Sequence, residues 1–474
     1  MAIFVSVEKV INAVNGAVWS PALIILLIGA GLYFTIRTRC VQVRRIGLMA
    51  RLLFSKETHP GHEGFSSFQA FCVALSGRVG TGNIVGVATA IALGGPGAVF
   101  WMWVIAFLGA STAFVESTLA QMYKFKHHTG FRGGPACYID GALGKRWLSV
   151  LFVFFTLLGY GTFLAMVQAN GISVAVNNSF EVPGIVTGLV LMVIVFLVVA
   201  GGMKRIARVA SAVTPFMALG YVLMALVILA VNWKSIPGMF GMIFTSAFGA
   251  NQMFGGLMGS AIAMGVKRGL FSNEAGQGGG AIVSGSADVS HPAKQGLVQA
   301  FSVYIDTLLV CTATALMILS TGNYNVIDQN TGEMIVANAP QLDNNYVLFT
   351  QASIDSVFNG FGSIFVTVAL AFFVFTTLIA YYFYSESSII FLCRIWNIAD
   401  SRKEKAILWI YRIFLFTAIV LGSCTATGTV WTIGDIGLGL TTWINVIVLL
   451  ILSPRALKAL ADYENTLNDH GKRH

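Results

Sequence analysis

The sequence has few charged residues. Asp, Glu, Lys and Arg make up 10% of its 474 residues, whereas an ordinary soluble domain has about 25%. With 20 acidic residues and 56% apolar residues, the chain cannot cover the surface of a soluble protein with charge. A soluble enzyme, a nucleic-acid-binding domain and a disordered scaffold are therefore excluded. Prolines are also few, at 10, whereas glycines number 51, and small residues suit close helix packing in lipid.

The sequence also lacks a cysteine framework. Its six cysteines are scattered without a CxxC pair, at positions 40, 72, 137, 311, 393 and 424. We expect neither a disulfide scaffold nor a metal knot. The N-terminus has no basic start followed by a short apolar core and a cleavage site. The apolar run 19–36 is therefore expected to be a retained span rather than a signal peptide.

Eleven apolar runs approach the roughly 20 residues that a membrane-spanning helix needs. They lie at about 17–37, 66–93, 98–123, 148–171, 183–203, 209–231, 248–271, 296–320, 357–391, 406–424 and 429–452. With the N-terminus outside and the C-terminus in the cytoplasm, inner segments hold all but four of the 29 Lys and Arg residues. Lys267 and Arg268 are among the residues assigned to inner segments. This is the usual bias of membrane proteins. The segment 321–356 has acidic residues but no Lys or Arg, so it is placed outside. The sequence predicts an all-α integral membrane protein with about 11 transmembrane helices.

Glycine-rich interruptions suggest an internal repeat. They lie at 76–83 and 254–259, and each begins a set of five helices if the first helix is set aside. This predicts a ten-helix core of two inverted repeats with discontinuous first and sixth core helices, plus one extra N-terminal helix, as in many secondary transporters. The alternative is that these glycines only permit close packing. The segments would be 1–64 (N-terminal helix and basic loop), 65–232 (first repeat), 233–453 (second repeat) and 454–474 (cytoplasmic tail).

The first interruption carries the clearest chemistry. Three glycines within 77–82 would be costly in a plain helix, and irregular backbone at membrane depth is tolerated only where it is buried in protein or lines a cavity. An unwound turn would expose the amides of Thr81, Gly82 and Asn83 at the start of a half-helix, where a carboxylate is favoured. Carbonyls on the other side of the break would suit a hard cation.

Long motifs in this sequence resemble the alanine/glycine:cation symporter family of prokaryotes. The stretch GRVGTGNIVGVATAIALGGPGAVFWMWVIAFLGAS at 77–111 includes GGPGAVFWMW, which is similar to the family signature. The stretches GLFSNEAGQGGG at 269–280, HPAKQGLVQ at 291–299 and IDTLLVCTATALMIL at 305–319 are similar to its second conserved block. The resemblance covers roughly 18–452 and implies a fold like that of the leucine transporter.

The resemblance also implies a site. Its substrate-binding residues would be Thr81, Gly82, Asn83, Gln168, Asn170, Phe254, Gly255, Gly256, Thr377 and Tyr381. A sodium ion between the first and eighth core helices would use carbonyls near Ser76 and Val79 with the hydroxyl of Thr376 or Thr377. The sequence departs from the family pattern at two places. Tyr381 stands where Trp is usual, and 278–283 reads GGGAIV where GSAPIA is usual, so the identity of the substrate stays open.

Four acidic residues fall in or near the predicted spans, namely Glu116, Asp306, Glu386 and Asp435. A charge in the bilayer core costs at least about 2.5–3.5 kcal/mol, so such residues are candidates for function. The two readings are a structural pair or gate and an ion-coupling role. Arg78, beside the first break, is expected to pair with one of the acids.

These observations predict a secondary active symporter in a bacterial or archaeal plasma membrane. It would import small neutral amino acids, alanine or glycine first, with sodium as the coupling ion, and would catalyse no covalent chemistry and use no cofactor. Its partners would be the amino acid, Na⁺ and the lipid bilayer, with no nucleic acid. The alternatives are a proton-coupled transporter, a relative specific for another neutral amino acid, a channel, and a membrane-embedded enzyme.

Overall fold

A computed structural model describes residues 2–55, 64–250, 254–329, 331–342, 346–398 and 401–471. Apart from two short hairpins, the regular structure of these residues is helical. The helices of the first half are α1 (Ala2–Val18), α2 (Pro21–Arg37), α3 (Val41–Arg44), α4 (Ile46–Leu53), α5 (Ser67–Arg78), α6 (Val87–Gly94), α7 (Gly97–Met122), α8 (Pro135–Leu143), α9 (Arg146–Leu158), α10 (Leu164–Phe180) and α11 (Gly184–Val199).

The second half is also largely helical. Its helices are α12 (Gly202–Val231), α13 (Ile236–Ala247), α14 (Met258–Asn273), α15 (Gly279–Ser284), α16 (Pro292–Val303), α17 (Thr312–Thr321), α18 (Val347–Asp355), α19 (Gly362–Ile395), α20 (Ser401–Cys424) and α21 (Thr427–Gly471). The strands are β1 (Phe125–His127), β2 (Gly130–Arg132), β3 (Asn325–Ile327) and β4 (Met334–Ala337), which form two antiparallel hairpins, β1–β2 and β3–β4. Wider π-helical turns occur at Gly82–Gly86, Gly159–Phe163 and Tyr304–Cys311.

The long apolar helices confirm a multi-pass membrane protein. Among the described residues, eight helices are long and apolar enough to cross a membrane, and the bent pair Ser67–Arg78 and Gly82–Gly94 makes a ninth. Helix α11 is apolar but shorter, and α14 overlaps the predicted run at about 248–271. All eleven predicted runs thus overlap helices, while the number of crossings, their orientation and the inverted repeat remain predictions.

The first helix break lies where the sequence places it. Helix α5 ends at Arg78, Val79 is extended (φ −79°, ψ 92°), and the chain resumes a helical path at Gly82 with a bend of 53°. A capping box at Ser66 and Gln69 begins α5, which satisfies the backbone donors of its first turn.

The glycines predicted to form the second break lie at the beginning of a helix, and a further interruption follows that helix. The glycines at 255–257 form a 3₁₀ turn, and α14 then continues without interruption from Met258 to Asn273. The helix is interrupted instead at 274–278, where Glu274, Gly276 and Gly278 have φ values of 53°, 87° and 101°. Gly265 within α14 serves close packing, because a Cβ there would lie 2.5 Å from the carbonyl oxygen of Ala98. Left-handed backbone, which glycine adopts at little cost, occurs at Gly276 and Gly278 and, before α14, at Gly249 (φ 68°).

Helix α7 packs against both interrupted helix pairs. It contacts α14, α15 and α16 on its way through the protein, and α2 of the N-terminal segment packs on it as well. Its second half, from Gly109 to Gln121, is buried at every position, as expected of a helix enclosed by others.

Two charges counted as topological signals lie inside the protein. Lys267 and Arg268 are in the middle of α14, and both pair with Asp435 of α21. Arg268 is 4% exposed. These two residues therefore do not belong to an inner loop, because the helix that carries them extends to Asn273.

Candidate substrate and cation site

The break between α5 and α6 releases two carbonyl groups. In a continuous helix the N–H of Gly80 would bond the carbonyl of Ser76, but here it donates to Oδ1 of Asn83 at 2.8 Å. The N–H of Asn83 would bond the carbonyl of Val79 and instead donates to the carbonyl of Gly80 at 3.2 Å. The carbonyls of Ser76 and Val79 are thereby freed from the helical pattern.

Thr377 of α19 lies against both freed carbonyls. Its Oγ1 is 2.9 Å from the oxygen of Ser76, 3.1 Å from that of Val79 and 2.8 Å from that of Phe373. A hydroxyl donates only one hydrogen, so four oxygen atoms share one proton. Such an oxygen cluster between two helices suits a hard monovalent cation.

The neighbouring threonine points elsewhere. Oγ1 of Thr376 donates to the carbonyls of Phe372 and Phe373 in its own helix and lies 3.4 Å from Sδ of Met217 in α12. Of the four expected cation ligands, Ser76, Val79 and Thr377 are therefore brought together. The side chain of Thr376 faces α12 instead.

The amides beyond the break are held by protein groups in this conformation. The N–H and the hydroxyl of Thr81 both donate to Oε1 of Gln168 in α10, at 2.9 and 3.0 Å. A Cβ on Gly80 would lie 2.7 Å from that same oxygen and 2.7 Å from Oγ1 of Thr377, so only glycine fits there without displacement. A substrate carboxylate at these amides has to displace Gln168.

Gly82 and Tyr381 complete the surroundings of the break. A Cβ on Gly82 would lie 2.9 Å from Cδ1 of Phe271 near the end of α14, so the two interrupted helices meet here. Tyr381 lies one helical turn after Thr377 on α19, is buried, and faces Gln168 and Glu274. Its ring stacks edge-on against Tyr160, with centroids 5.1 Å apart.

The remaining expected substrate residues lie apart from this cluster. Nδ2 of Asn170 donates to the carbonyls of Gly422 and Thr425 in and after α20, at 3.2 and 2.8 Å. Phe254 packs on Gly95, where a Cβ would lie 3.3 Å from its ring, and Gly255 and Gly256 belong to the turn before α14. No hydrogen bond among the described residues joins these four positions to the break.

Asp306 reaches the break through Asn83. Its Oδ1 accepts a hydrogen bond from Nδ2 of Asn83 at 2.7 Å, and its Oδ2 accepts from Oγ of Ser272 at 2.8 Å and from Oγ1 of Thr307 at 2.7 Å. Asp306 is fully buried. Sequence reasoning named Asp306 as a buried acid but missed Ser272, which precedes the second interruption. The sequence signal for this interruption was the density of glycines at 276–280, which is higher than that at 255–259.

The other buried acids have mixed surroundings. Oε2 of Glu116 accepts from Nδ2 of Asn445 at 3.1 Å, Asp435 pairs with Arg268, and Glu386 lies near Arg132 and Arg412. Arg78 is buried, and its Nη1 donates to Oε1 of Gln299 at 3.2 Å and to Oγ of Ser302. The expected ion pair of Arg78 is not formed with any described acid.

Known proteins are similar to this sequence over most of its length. The model of the sodium:alanine symporter family matches residues 4–474. The sodium/proton-dependent alanine carrier protein of Bacillus sp. (strain PS3) is 46% identical over 85% of this chain and 89% of its own length. The sodium/alanine symporter AgcS of Methanococcus maripaludis is 38% identical over 94% of each chain. A Bacillus subtilis (strain 168) protein named "Probable sodium/glutamine symporter GlnT" is 40% identical over 96% of this chain and 92% of its own.

A solved structure shares the fold. The crystal structure of a histidine-to-alanine mutant of the Eremococcus coleocola manganese transporter matches with a TM-score of 0.51 at 12% identity, over 86% of this chain and 98% of that chain. The relatives are named as carriers and symporters, so this chain is a membrane transporter and not an enzyme. By its family model and by relatives that match nearly its whole length, the chain belongs to the sodium:alanine symporter family.

Proposed function

We propose that this protein imports alanine and glycine together with sodium across a prokaryotic plasma membrane. The observation that carries the proposal is the oxygen cluster of Ser76, Val79, Phe373 and Thr377. It contains carbonyls and a hydroxyl but no carboxylate. Neutral oxygen atoms of this kind are ligands for sodium, whereas proton coupling needs a group that can be protonated.

The substrate carboxylate would bind at Thr81, Gly82 and Asn83 on the other side of the same break. Binding would move Oε1 of Gln168 from the Thr81 amide. A sodium ion and a carboxylate held by one unwound turn attract each other directly, so each raises the affinity of the other, and that coupling free energy is reciprocal. Tyr381 would border the pocket and limit the size of the side chain that enters.

The interrupted pairs α5–α6 and α14–α15 are proposed as corresponding elements of two inverted repeats. The bundle that contains them would rock against the remaining core helices, which opens the site to each side in turn. In the proposed orientation the N-terminus and the β3–β4 hairpin face outward and the tail is cytoplasmic, as the distribution of Lys and Arg in the loops predicts.

The surroundings of Asp306 make proton-coupled transport the second candidate function. It is fully buried and forms no ion pair with any described residue, and it contacts Asn83 directly. Protons and sodium compete as partners for a buried carboxylate of this kind. Because one relative is named as a probable sodium/glutamine symporter, a larger neutral amino acid is a further candidate substrate.

Uptake into proteoliposomes separates these possibilities. Labelled alanine, glycine and glutamine are offered under an inward sodium gradient, under potassium, or under a proton gradient alone. We expect accumulation of alanine and glycine only with sodium. Equal uptake in potassium buffer with a proton gradient would reject sodium coupling, and preferential uptake of glutamine would reject the substrate assignment.

A further inference from the structure

A cavity lies beside the break, on the side of the β3–β4 hairpin. Its volume is about 450 Å³, and its lining includes Gln329, in the segment that connects β3 to β4, and Tyr346, which follows β4 in the chain. We call it the vestibule. Its polar lining includes Asn170, Lys267, Arg268, Thr432 and Asp435, and Trp431 adds an aromatic face. The volume is ample for a small amino acid with water.

The vestibule carries one excess positive charge. Arg268 binds Asp435 through both carboxylate oxygens, at 3.0 and 2.8 Å, and Nζ of Lys267 lies 2.6 Å from Oδ2 of the same residue. Two cations thus share one carboxylate, because Asp435 is the acid that lines this cavity. A second carboxylate, brought by a ligand, would balance the charge.

Three buried polar atoms of the lining residues have no hydrogen-bond partner among the described residues. They are Nε of Arg268, a donor, and Oδ1 of Asn15 and of Asn170, both acceptors. Arg268 and Asn170 are 4% and 2% exposed. A buried unpaired group of this kind costs roughly 1–3 kcal/mol. A zwitterionic amino acid offers a carboxylate to Nε of Arg268 and an ammonium group to Oδ1 of Asn170.

An aromatic pair separates the vestibule from the break. The rings of Phe271 and Trp431 lie 4.9 Å apart, and the guanidinium of Arg268 stacks over Trp431 at 4.7 Å. Phe271 is also the residue that a Cβ on Gly82 would strike, at 2.9 Å. The ring of Phe271 therefore lies against the break on one side and against Trp431, which lines the vestibule, on the other.

We propose that the vestibule is a second amino-acid site, at which the substrate carboxylate pairs with Lys267 and Arg268 before the substrate passes Phe271 and Trp431 to the break. The proposal rests on the proposed function for its ligand, an amino-acid zwitterion. It also assigns Asn170 to this outer site, where its free carbonyl oxygen would accept from the ammonium group, rather than to the site at Thr81–Asn83.

The test measures protection of a thiol placed in the vestibule. Thr432→Cys is made in a background in which the exposed Cys40 and Cys424 are replaced by serine, and its modification by a membrane-impermeant methanethiosulfonate is timed. The inner site is silenced in two independent ways, by Gly82→Val and, in the parent, by omission of sodium. We expect alanine to slow modification at least threefold in both conditions, and alaninamide, which lacks the carboxylate, to give no protection.

A matched pair of charge variants identifies the recognition. Lys267→Gln removes the excess charge and leaves the Arg268–Asp435 pair, so the alanine concentration for half-protection should rise about tenfold. Lys234→Gln removes an exposed lysine outside the vestibule and should leave it unchanged. Absence of protection in both silenced conditions, while the parent still transports alanine, would overturn the vestibule site alone. Absence of alanine uptake by the parent would instead reject the proposed function.

Discussion

Thr377→Val tests the proposed cation site with the smallest possible change. Valine has nearly the same shape as threonine but cannot offer an oxygen, so the change removes the hydroxyl that touches the carbonyls of Ser76 and Val79. An interaction between a neutral polar group and a charge is worth roughly 1.5–3 kcal/mol. At 1.4 kcal/mol per tenfold, the sodium concentration for half-maximal uptake should rise roughly 10- to 100-fold.

Thr376→Val is the matched control. Its hydroxyl bonds carbonyls of its own helix and faces Met217, so the same loss of a hydroxyl one residue earlier should change the sodium requirement less than about twofold. The assay is labelled alanine uptake by proteoliposomes as a function of external sodium. Size-exclusion profiles and thermal unfolding of both purified variants establish that the fold is retained.

The comparison between the two variants decides the matter. An equal shift in both would mean that loss of a hydroxyl perturbs α19 in general and that Thr377 is not a ligand. No shift in Thr377→Val, in a protein that still transports alanine, would place the cation away from the carbonyls of Ser76 and Val79. A large shift in Thr376→Val alone would show that the helix presents its other face to the ion.

Three further predictions concern the break and the packing around it. Gly82→Val should abolish alanine transport while the protein still inserts in the membrane, because the added side chain meets Phe271; retained uptake by purified, reconstituted variant would contradict the proposed position of the substrate. Gln168→Leu should strengthen alanine binding, by up to about 30-fold, since it removes two hydrogen bonds of about 1 kcal/mol each that hold the Thr81 donors which the substrate carboxylate has to take over; calorimetry on purified protein measures this, and an unchanged or weaker affinity would contradict competition between Gln168 and the carboxylate at Thr81. Gly97→Ala should lower the melting temperature by several degrees, because its Cβ would lie 2.6 Å from backbone atoms of Ser246 and Ala247 in α13, whereas Gly220→Ala, with open space around it, should be neutral or slightly stabilising; similar melting temperatures would contradict the packing of α7 on α13.

Composition and local motifs were enough to predict the class of the protein and the first helix break. Low charge and long apolar runs are additive properties of the chain, so they predict membrane helices without knowledge of their neighbours. The first break also follows from local chemistry, because glycines at 77, 80 and 82 with Asn83 supply both the weak helix and the amide that caps Gly80. The later match of the family model agrees with the motifs quoted from the sequence.

Long-range packing governs which polar groups meet. Adjacent residues of a helix point about 100° apart, so the sequence indicated that Thr376 or Thr377 could be a cation ligand but not which of the two. The packing of α19 on α5 brings Thr377 to the carbonyls of Ser76 and Val79, which precede it by 301 and 298 positions in the chain. The interruption between α14 and α15 was not predicted, for a related reason. Both glycine-rich segments, 255–259 and 276–280, predict irregular backbone, and only the folded structure shows that Gly276 and Gly278, buried between α14 and α15, have left-handed backbone. The partners of Asn170 and Asp306 likewise lie far away in the chain, so the folded structure alone could assign one to the vestibule and the other to Asn83.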